Sequence, residues 1–155
     1  MDKLQSVDRT LDWLSLQLAP YTAFVTYLPL EDEVRYQDLL PLPTSASWYE
    51  LPSRKEQDTS EEALAARAWA SGKRSAVFVP GQRFDAYGTR HGRGGGWYDR
   101  FLSYVPNEWL RVGFCRTDQF SEALLPSHPW DQPVDIVCIP HHDGLRVVET
   151  GARGI

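Results

Sequence analysis

The segment between Gly88 and Arg100 carries the residue types in this chain that are best suited to chemistry. It reads GTRHGRGGGWYDR and holds five of the 11 glycines together with three arginines. Glycine lets the backbone approach a ligand closely, and the planar guanidinium of arginine suits phosphate or carboxylate oxygens. Where such a loop leads into a helix, several backbone N–H groups converge on one point. The segment therefore predicts an anion-binding site, and a polyphosphate fits it best.

The competing interpretation of this segment is a flexible, solvated loop like those of nucleic-acid-binding tails. The apolar segment SAVFVP precedes it and the aromatic segment WYDRFLSYV follows it. A strand before and a helix after favour a loop that is held in place. The two common phosphate motifs do not match: GxxxxGK followed by Ser or Thr does not occur, and GRGGGW does not keep the GxGxxG spacing.

Two aspartates are candidate magnesium ligands. Asp99 falls in the first turn of the helix predicted after the glycines, and Asp135 begins the apolar segment DIVCI. Magnesium prefers one or two carboxylates together with phosphate oxygens and water. Each acid also has a structural interpretation: Asp99 can complement the helix dipole, and Asp135 can be a paired or capping acid at a strand end.

The residues that position this site are predicted to form strands alternating with helices. Apolar and β-branched segments predict strands at 22–28, 75–80, 110–115 and 134–139, a short strand at 47–51 and an edge strand at 145–150. Helical spacing of Leu4, Val7, Leu11, Leu14 and Leu18 predicts a first helix, and further helices are predicted at 59–71, 96–105, 31–40 and 121–125. Residues 41–58 otherwise read as a loop, and the last five residues as a frayed end. The pattern is typical of a single α/β domain with a mostly parallel sheet flanked by helices.

Composition restricts the class of protein. The chain has 155 residues, 42% of them hydrophobic, and a net charge of -5. The acidic balance argues against a nucleic-acid partner, and no apolar run reaches the ~20 residues of a membrane span. The first residues lack the features of a signal peptide, and Cys115 and Cys138 match neither a CxxC pair nor a disulfide framework. These features predict a cytoplasmic protein without a membrane partner and leave the oligomeric state open.

Residues 79–102, VPGQRFDAYGTRHGRGGGWYDRFL, resemble the signature of the 5-formyltetrahydrofolate cyclo-ligase family. The order of VPG, FD, a G-x-R turn, GRG-x-G, two aromatics and Asp is the same. Residues 26–34 and 111–137 are similar to two flanking parts of that family. The resemblance implies a fold shared with sugar-phosphate isomerases and CoA transferases. It also implies an ATP- and Mg²⁺-dependent conversion of 5-formyltetrahydrofolate to 5,10-methenyltetrahydrofolate through a phosphorylated formyl intermediate.

The resemblance assigns roles to individual residues. It implies that Arg93 and Glu33 are catalytic, that Asp99 and Asp135 hold Mg²⁺, and that Leu28, Glu33, Arg93 and Trp97 contact the folate. It implies that ATP is bound by Arg90, Gly92, Arg93, Gly94, Gly95, Gly96, Trp97 and Tyr98. Trp97 stands where the family has a tyrosine, which keeps an aromatic face.

The chain departs from the family pattern at its beginning. The family has a Lys and an Arg at a fixed spacing on its first helix, and neither Lys3 nor Arg9 aligns with them. We therefore expect one cyclo-ligase-like domain over 1–155 that is shortened at its N-terminus. The alternatives are a non-catalytic or regulatory folate- or nucleotide-binding relative, or an enzyme acting on another small substrate. The sequence His141-His142-Asp143 is interpreted as an exposed turn before Gly144 rather than a metal site.

Overall fold

The computed structural model describes residues 6–40, 45–51 and 58–154. The predictions for Leu4 and for most of the 41–58 loop lie outside these ranges. The strands are β1 (Val7–Arg9), β2 (Ala23–Tyr27), β3 (Ser47–Leu51), β4 (Ser75–Pro80), β5 (Arg83–Asp85), β6 (Arg90–His91), β7 (Leu110–Phe114), β8 (Phe120–Ser121), β9 (Ile136–His141) and β10 (Gly144–Glu149). The α-helices are α1 (Leu11–Leu18), α2 (Thr59–Trp69) and α3 (Trp97–Tyr104). The predicted α/β fold with a mostly parallel sheet is confirmed.

The main sheet has seven strands in the order β1-β10-β9-β7-β4-β2-β3. Strands β3, β2, β4, β7 and β9 are parallel to one another, whereas β10 runs antiparallel to both of its neighbours. The chain passes from β2 to β3 on one side and then returns to β4 on the other side of β2. This reversal opens a crevice at the carboxyl ends of β2 and β4, where open α/β sheets bind ligands.

The helices begin and end where local chemistry dictates. The Asp58 side chain accepts a hydrogen bond from the Ser60 N–H and caps the start of α2. Gly72, at φ +76°, follows the end of α2, where glycine adopts the left-handed conformation without strain. Helices α2 and α3 pack against each other on the sheet, and Arg67 donates to the Tyr104 carbonyl across this contact at 3.3 Å.

An aromatic cluster covers the sheet beside the crevice. The Tyr36 ring packs against Phe78 of β4 and Phe114 of β7, with ring centroids 5.3 and 5.8 Å apart. Tyr36 belongs to a single 3-10 turn, Tyr36–Asp38, which is the only regular helical structure within the helix predicted at 31–40. The Tyr27 hydroxyl donates to the Val34 carbonyl at 2.6 Å. Buried aromatic packing and this hydrogen bond therefore fix both ends of the segment between Tyr27 and Tyr36.

Long-range pairing overturned three of the predictions from local sequence. Residues 7–9 form an edge strand on β10 instead of a helical turn, so that β10 is not an edge strand. The helix predicted at 121–125 is absent, because Phe120 and Ser121 pair with β5 in a small sheet of order β6-β5-β8. The frayed C-terminus is also wrong as far as Gly154, because the Arg153 guanidinium bonds the Asn107 and Trp109 carbonyls at 2.8 and 2.9 Å.

Both cysteines are buried free thiols, Cys115 after β7 and Cys138 within β9. Burial raises the pKa of Cys115 to about 12 and also raises that of Cys138. The thiols therefore stay protonated and pack as small apolar side chains. None of the helices in the described ranges has the length and apolar character that spanning a membrane requires.

Candidate functional site

A cavity of about 730 Å³ lies at the crevice between the carboxyl ends of β2 and β4. Its size is that of a small-molecule site. Eleven of the twelve residues singled out from the sequence line it: Leu28, Glu33, Arg90, Gly92, Arg93, Gly94, Gly95, Gly96, Trp97, Tyr98 and Asp99. The twelfth, Asp135, does not.

The glycine- and arginine-rich loop is not irregular at its beginning. Strands β5 and β6 form a short antiparallel hairpin, and the Gln82 N–H donates to the His91 carbonyl at 2.7 Å. Asp85 is fully buried at the end of β5 and accepts hydrogen bonds from the Tyr87 and Thr89 N–H groups. The hairpin therefore places the glycines that follow it in the chain at the opening of the crevice.

The glycines themselves surround the start of α3. Gly94 and Gly96 have φ values of +103° and +67°, a conformation that L side chains rarely adopt. A Cβ atom at Gly94 or Gly95 would meet nothing within 4 Å, so this backbone faces open space. The Arg100 guanidinium donates to the Gly95 carbonyl at 2.7 Å and holds the loop in this shape. Backbone N–H groups at a helix N-terminus next to open space form a suitable site for an anion.

Arg90 is a buried cation beneath this loop. Its Nε donates to the Pro80 carbonyl at 2.7 Å, and its guanidinium lies 5.0 Å from the centroid of the Tyr98 ring. Burial lowers the pKa of Arg90, while the nearby Asp99 carboxylate opposes that effect. A Cβ at Gly92 would come within 3.1 Å of the Arg90 Nη2, so a larger residue there would crowd the guanidinium. The position of Arg90 is therefore fixed from several sides.

Arg93 links the loop to the opposite wall of the cavity. Its Nη2 donates to Asp32 Oδ1 at 2.5 Å and lies 3.4 Å from Glu33 Oε2. The hydrogen bond from Arg93 lowers the pKa of the Asp32 carboxyl. Arg116 donates to the Asp32 carbonyl at 2.5 Å and supports the same wall. We call the contact of Arg93 with Asp32 and Glu33 the acid clasp.

Glu33 is held in place by its own backbone turn. Its Oε1 accepts from the Leu30 N–H at 2.9 Å, and its N–H donates to the Leu30 carbonyl at 2.9 Å. The side chain of Glu33 is mostly buried, at 11% exposure, although Leu28 nearby is exposed. This wall therefore presents one ordered carboxylate beside apolar surface.

Trp97 and Tyr98 line the cavity from the first turn of α3. The Trp97 ring stacks on Phe101 with centroids 5.3 Å apart and planes 9° apart. Tyr98 is buried, and burial raises the pKa of its hydroxyl. Asp99, one residue later, accepts a hydrogen bond on Oδ1 from the Gln132 N–H at 3.0 Å.

The profile of the 5-formyltetrahydrofolate cyclo-ligase family matches residues 18–140, which include every residue that lines the cavity. The chain belongs to the 5-formyltetrahydrofolate cyclo-ligase family. Over 60 residues it is 33% identical to the 5-formyltetrahydrofolate cyclo-ligase of Mycoplasma genitalium, a match that covers 39% of this chain and 35% of the relative. Over 77 residues it is 34% identical to the protein of the same name from Mus musculus, covering 50% and 36%. The matched segments thus span about a third of the length of each relative.

Two solved structures share the fold. A 5,10-methenyltetrahydrofolate synthetase from Mycoplasma pneumoniae superposes with a TM-score of 0.51 at 17% identity, covering 82% of this chain and 80% of that one. The 5,10-methenyltetrahydrofolate synthetase of Aquifex aeolicus gives a TM-score of 0.51 at 22% identity, covering 83% and 75%. At these identities the likeness supports the cyclo-ligase fold and nothing finer.

The structure does not bring the two predicted magnesium ligands of this cyclo-ligase family member together. Asp135 comes just before β9, at the amino end of a strand, whereas the cavity lies at the carboxyl ends of β2 and β4. Its Oδ1 accepts from Arg153 Nε at 2.9 Å, and its Oδ2 accepts from Arg153 Nη2 and the Arg111 N–H, both at 2.8 Å. These contacts match the alternative interpretation of Asp135 as a paired acid at a strand end.

Sequence reasoning missed the segment that forms the remaining wall of the cavity. Pro126, His128, Trp130 and Asp131 all line it. A proline-rich segment reading PSHPWD, which carries two rings and an acid, was the available signal. Trp130 is not a core residue, because 65% of it is exposed.

His141, His142 and Asp143 form the exposed turn that was predicted between β9 and β10. Nevertheless, one potential ligand atom from each residue lies within 4.8 Å of the others. The His141 Nδ1 contacts the Asp143 carboxylate directly. None of these three residues lines the cavity described above.

Proposed function

We propose that this chain converts 5-formyltetrahydrofolate to 5,10-methenyltetrahydrofolate with ATP as co-substrate. One observation carries the proposal. The cavity extends from the glycine- and arginine-rich loop of the family signature, residues 88–96, to the wall that holds Glu33. The two relatives described above are both named 5-formyltetrahydrofolate cyclo-ligase. The free, buried thiols fit a reaction in the cytoplasm.

The reaction needs an activated oxygen. The formyl oxygen of the substrate is part of an amide and is a poor leaving group. Attack of that oxygen on the γ-phosphorus of ATP breaks the bond from this phosphorus to the bridging oxygen, releases ADP and leaves the formyl oxygen as a phosphate ester. N10 of the folate then attacks the formyl carbon and loses its proton, the C–O bond breaks, and inorganic phosphate leaves as the ring closes. Phosphoryl transfer of this kind depends mainly on positioning and on neutralising charge.

The residues of the cavity supply positioning and charge. The backbone N–H groups at Gly94, Gly95 and Gly96 and the guanidinium of Arg93 are placed to hold the phosphates. Arg90, buried beneath them, adds a second positive charge. Glu33, on the wall that Arg93 contacts, orients the folate through its ordered carboxylate.

Magnesium fits the donor set of the cavity, because Asp99 and Asp131 both offer carboxylate oxygens to it. When bound, Mg²⁺ neutralises the charge of the nucleotide phosphates. Asp99 would hold it from the first turn of α3, and Asp131 from the neighbouring loop, whose Gln132 N–H bonds Asp99. Asp135 is not proposed as a ligand, since its two oxygens are bonded to Arg153 and Arg111.

The direct test follows the methenyl chromophore in a mixture of the pure protein, 5-formyltetrahydrofolate and MgATP. We expect absorbance to rise only when all three components are present. Absence of turnover by a protein that still binds MgATP would contradict the enzymatic proposal and support the non-catalytic binder. Turnover of a different formylated compound in preference to the folate would contradict the proposed substrate.

Two variants connect the reaction to this cavity. We expect Arg93→Ala and Asp99→Asn each to lower kcat/KM for MgATP at least tenfold, about 1.4 kcal/mol. Asparagine at 99 keeps an oxygen for the Gln132 N–H, so the change tests the charge rather than the fold. Arg83→Ala and Asp118→Asn are matched controls, because both residues are exposed and neither lines the cavity. Equal activity of the variants and the controls would show that the nucleotide binds elsewhere.

A further inference from the structure

One wall of the cavity carries a pair of aromatic rings that the proposed reaction has not yet used. The rings of His128 and Trp130 stack with centroids 4.5 Å apart and planes only 6° apart. Trp130 lines the cavity while 65% of its surface stays exposed. A large aromatic side chain with an exposed face at a cavity mouth offers a stacking surface for a planar ligand.

The loop that bears these rings is rigid by its own hydrogen bonds. The His128 N–H donates to Asp131 Oδ2 at 2.8 Å, and the Asp131 N–H donates to the His128 carbonyl at 3.0 Å. These two bonds close a tight turn across Trp130. The ring pair is therefore already arranged and loses little conformational entropy when a ligand stacks on it.

The loop is fastened to the signature loop on both sides. Before the turn, His91 Nε2 donates to the Pro126 carbonyl at 2.6 Å. After it, the Gln132 N–H donates to Asp99 Oδ1 at 3.0 Å. The ring pair consequently has a fixed position relative to the phosphate-binding backbone at the start of α3.

The signature loop separates two walls of different character. The first wall carries Leu28 and Glu33 and is joined to the loop through Arg93. The second wall carries the ring pair together with Asp131. A cavity that takes two planar ring systems, with phosphates between them, has one wall for each.

We propose that Trp130, backed by His128, is the stacking platform for the nucleobase of the nucleoside triphosphate. This inference rests on the proposed function, which assigns the wall of Glu33 to the folate. No chemical step involves Trp130; it is a binding residue that sets affinity for the base.

The test compares ligands that do and do not carry a base. Calorimetry measures the binding of MgATP, magnesium tripolyphosphate and 5-formyltetrahydrofolate to the wild type, Trp130→Ala and Trp130→Phe. Because stacking of a base on an aromatic side chain is lost in alanine, we expect Trp130→Ala to bind MgATP at least about fivefold more weakly. Affinity for tripolyphosphate and for the folate should stay within about twofold, and Trp130→Phe should keep most of the ATP affinity. Leu124→Ala, an equally exposed change that does not line the cavity, is the matched control.

Several outcomes would overturn the platform. An equal loss of affinity for MgATP and for tripolyphosphate in Trp130→Ala would mean that Trp130 supports the phosphate site and does not bind the base. Loss confined to 5-formyltetrahydrofolate would assign the rings to the folate. Unchanged MgATP affinity in Trp130→Ala, or no MgATP binding by the wild type, would also overturn it.

The methenyl assay separates these failures from failure of the proposed function. If the wild type turns over the folate and Trp130→Ala binds MgATP normally, the proposed function stands and the stacking platform is wrong. If the wild type binds MgATP without turnover, the proposed function is wrong. The comparison of ligands still tests the stacking platform, because it measures binding alone.

Discussion

Arg93 contacts two acids in the cavity where the proposed reaction requires it to contact phosphate. The acid clasp joins it to Asp32 at 2.5 Å and to Glu33 at 3.4 Å. A phosphate oxygen must compete with these carboxylates for the same guanidinium donors. The two acids differ in exposure, since half of the Asp32 side chain is exposed and Glu33 is mostly buried. Asp32 is therefore the acid that can be altered without disturbing the wall.

Replacing Asp32 by Asn should tighten binding of MgATP by about twofold to fivefold, because one charge that competes for Arg93 is removed and exposed ion pairs are weak. Calorimetric titration with MgATP measures the change. Asp38→Asn is the control, since Asp38 forms a similar exposed pair with Arg35 and does not line the cavity. Weaker binding by Asp32→Asn would instead show that Asp32 orients Arg93 for the nucleotide.

The acid clasp also predicts a dependence on pH. The hydrogen bond from Arg93 lowers the pKa of Asp32 below 3.8. The stability that the pair contributes to the folded state is therefore complete above pH 3.8. It is lost as the pH falls through the lower pKa that Asp32 has in the folded state. NMR titration of the Asp32 carboxyl carbon should give a midpoint that rises toward 3.8 in Arg93→Ala. The same midpoint in both proteins would mean that the clasp does not form in solution.

At the scale of elements, Asp85 connects the two loops that surround the cavity. Its Oδ1 accepts from the Tyr87 and Thr89 N–H groups, both at 2.9 Å, within the hairpin that leads to the glycines. Its Oδ2 accepts from the Leu125 N–H at 2.8 Å, just before the loop of Trp130. One buried carboxylate therefore sets the spacing of two cavity walls.

Asp85→Asn should lower the free energy of unfolding by about 1–3 kcal/mol, because its amide group turns an N–H toward a backbone N–H and leaves buried donors without an acceptor. Urea unfolding measures the loss. Asp118→Asn, at an exposed pair with Arg116, should change stability by less than about 0.5 kcal/mol. If both variants unfold alike, Asp85 does not hold the loops together.

The small sheet packs on the main sheet through a close contact at Gly113. A Cβ atom at Gly113 in β7 would overlap the ring of Phe84 in β5, which is fully buried. Gly113→Ala should therefore cost about 1–3 kcal/mol of unfolding free energy through overpacking. Gly95→Ala is the control for stability alone, since its Cβ would meet nothing within 4 Å and its φ is not positive. Thermal unfolding of both variants measures the difference in stability. If Gly113→Ala is as stable as the control, the contact between Gly113 and Phe84 does not limit packing as proposed.

At the scale of the whole molecule, a buried ionic cluster closes the edge of the sheet opposite the cavity. Asp135 pairs with Arg153 of the C-terminal tail and with the backbone of Arg111 in β7. Burial, together with the charge of Arg153, lowers the pKa of Arg111 to about 10. The cluster ties residues that are far apart in sequence to the beginnings of two central strands.

Arg153→Met should lower the free energy of unfolding by about 3 kcal/mol, because it leaves the buried Asp135 carboxylate without its cation. Urea unfolding measures this loss. Asp135→Asn should be destabilised as well, but the Mg²⁺ concentration that gives the half-maximal rate should stay the same. Asp99→Asn is the comparison in which that concentration should rise. A raised Mg²⁺ requirement in Asp135→Asn would restore Asp135 as a metal ligand.

The sequence by itself determined the elements whose signals lie within a few residues. The buried apolar runs of β2, β4, β7 and β9, the capped helix α2 and the glycine loop leading into α3 each depend on neighbouring side chains. The glycines, the arginines and Asp99 of the site were found in the same way, because a phosphate-binding loop requires glycine and arginine at close spacing, whereas the family resemblance supplied Leu28, Trp97 and Tyr98. Their resemblance to the cyclo-ligase signature added the role of Glu33, which composition alone does not reveal.

Only the tertiary structure decided the features that depend on distant partners. Residues 7–9 are a strand because β10, about 140 positions away, pairs with them, as the bond between Arg9 and Glu149 illustrates. Asp135 lies away from the cavity because its strand runs parallel to β4 and begins at the opposite edge. Trp130 faces the cavity because hydrogen bonds to His91 and Asp99 direct its loop there. Local sequence determines local conformation, whereas contacts between distant segments of the chain determine which side chains come together.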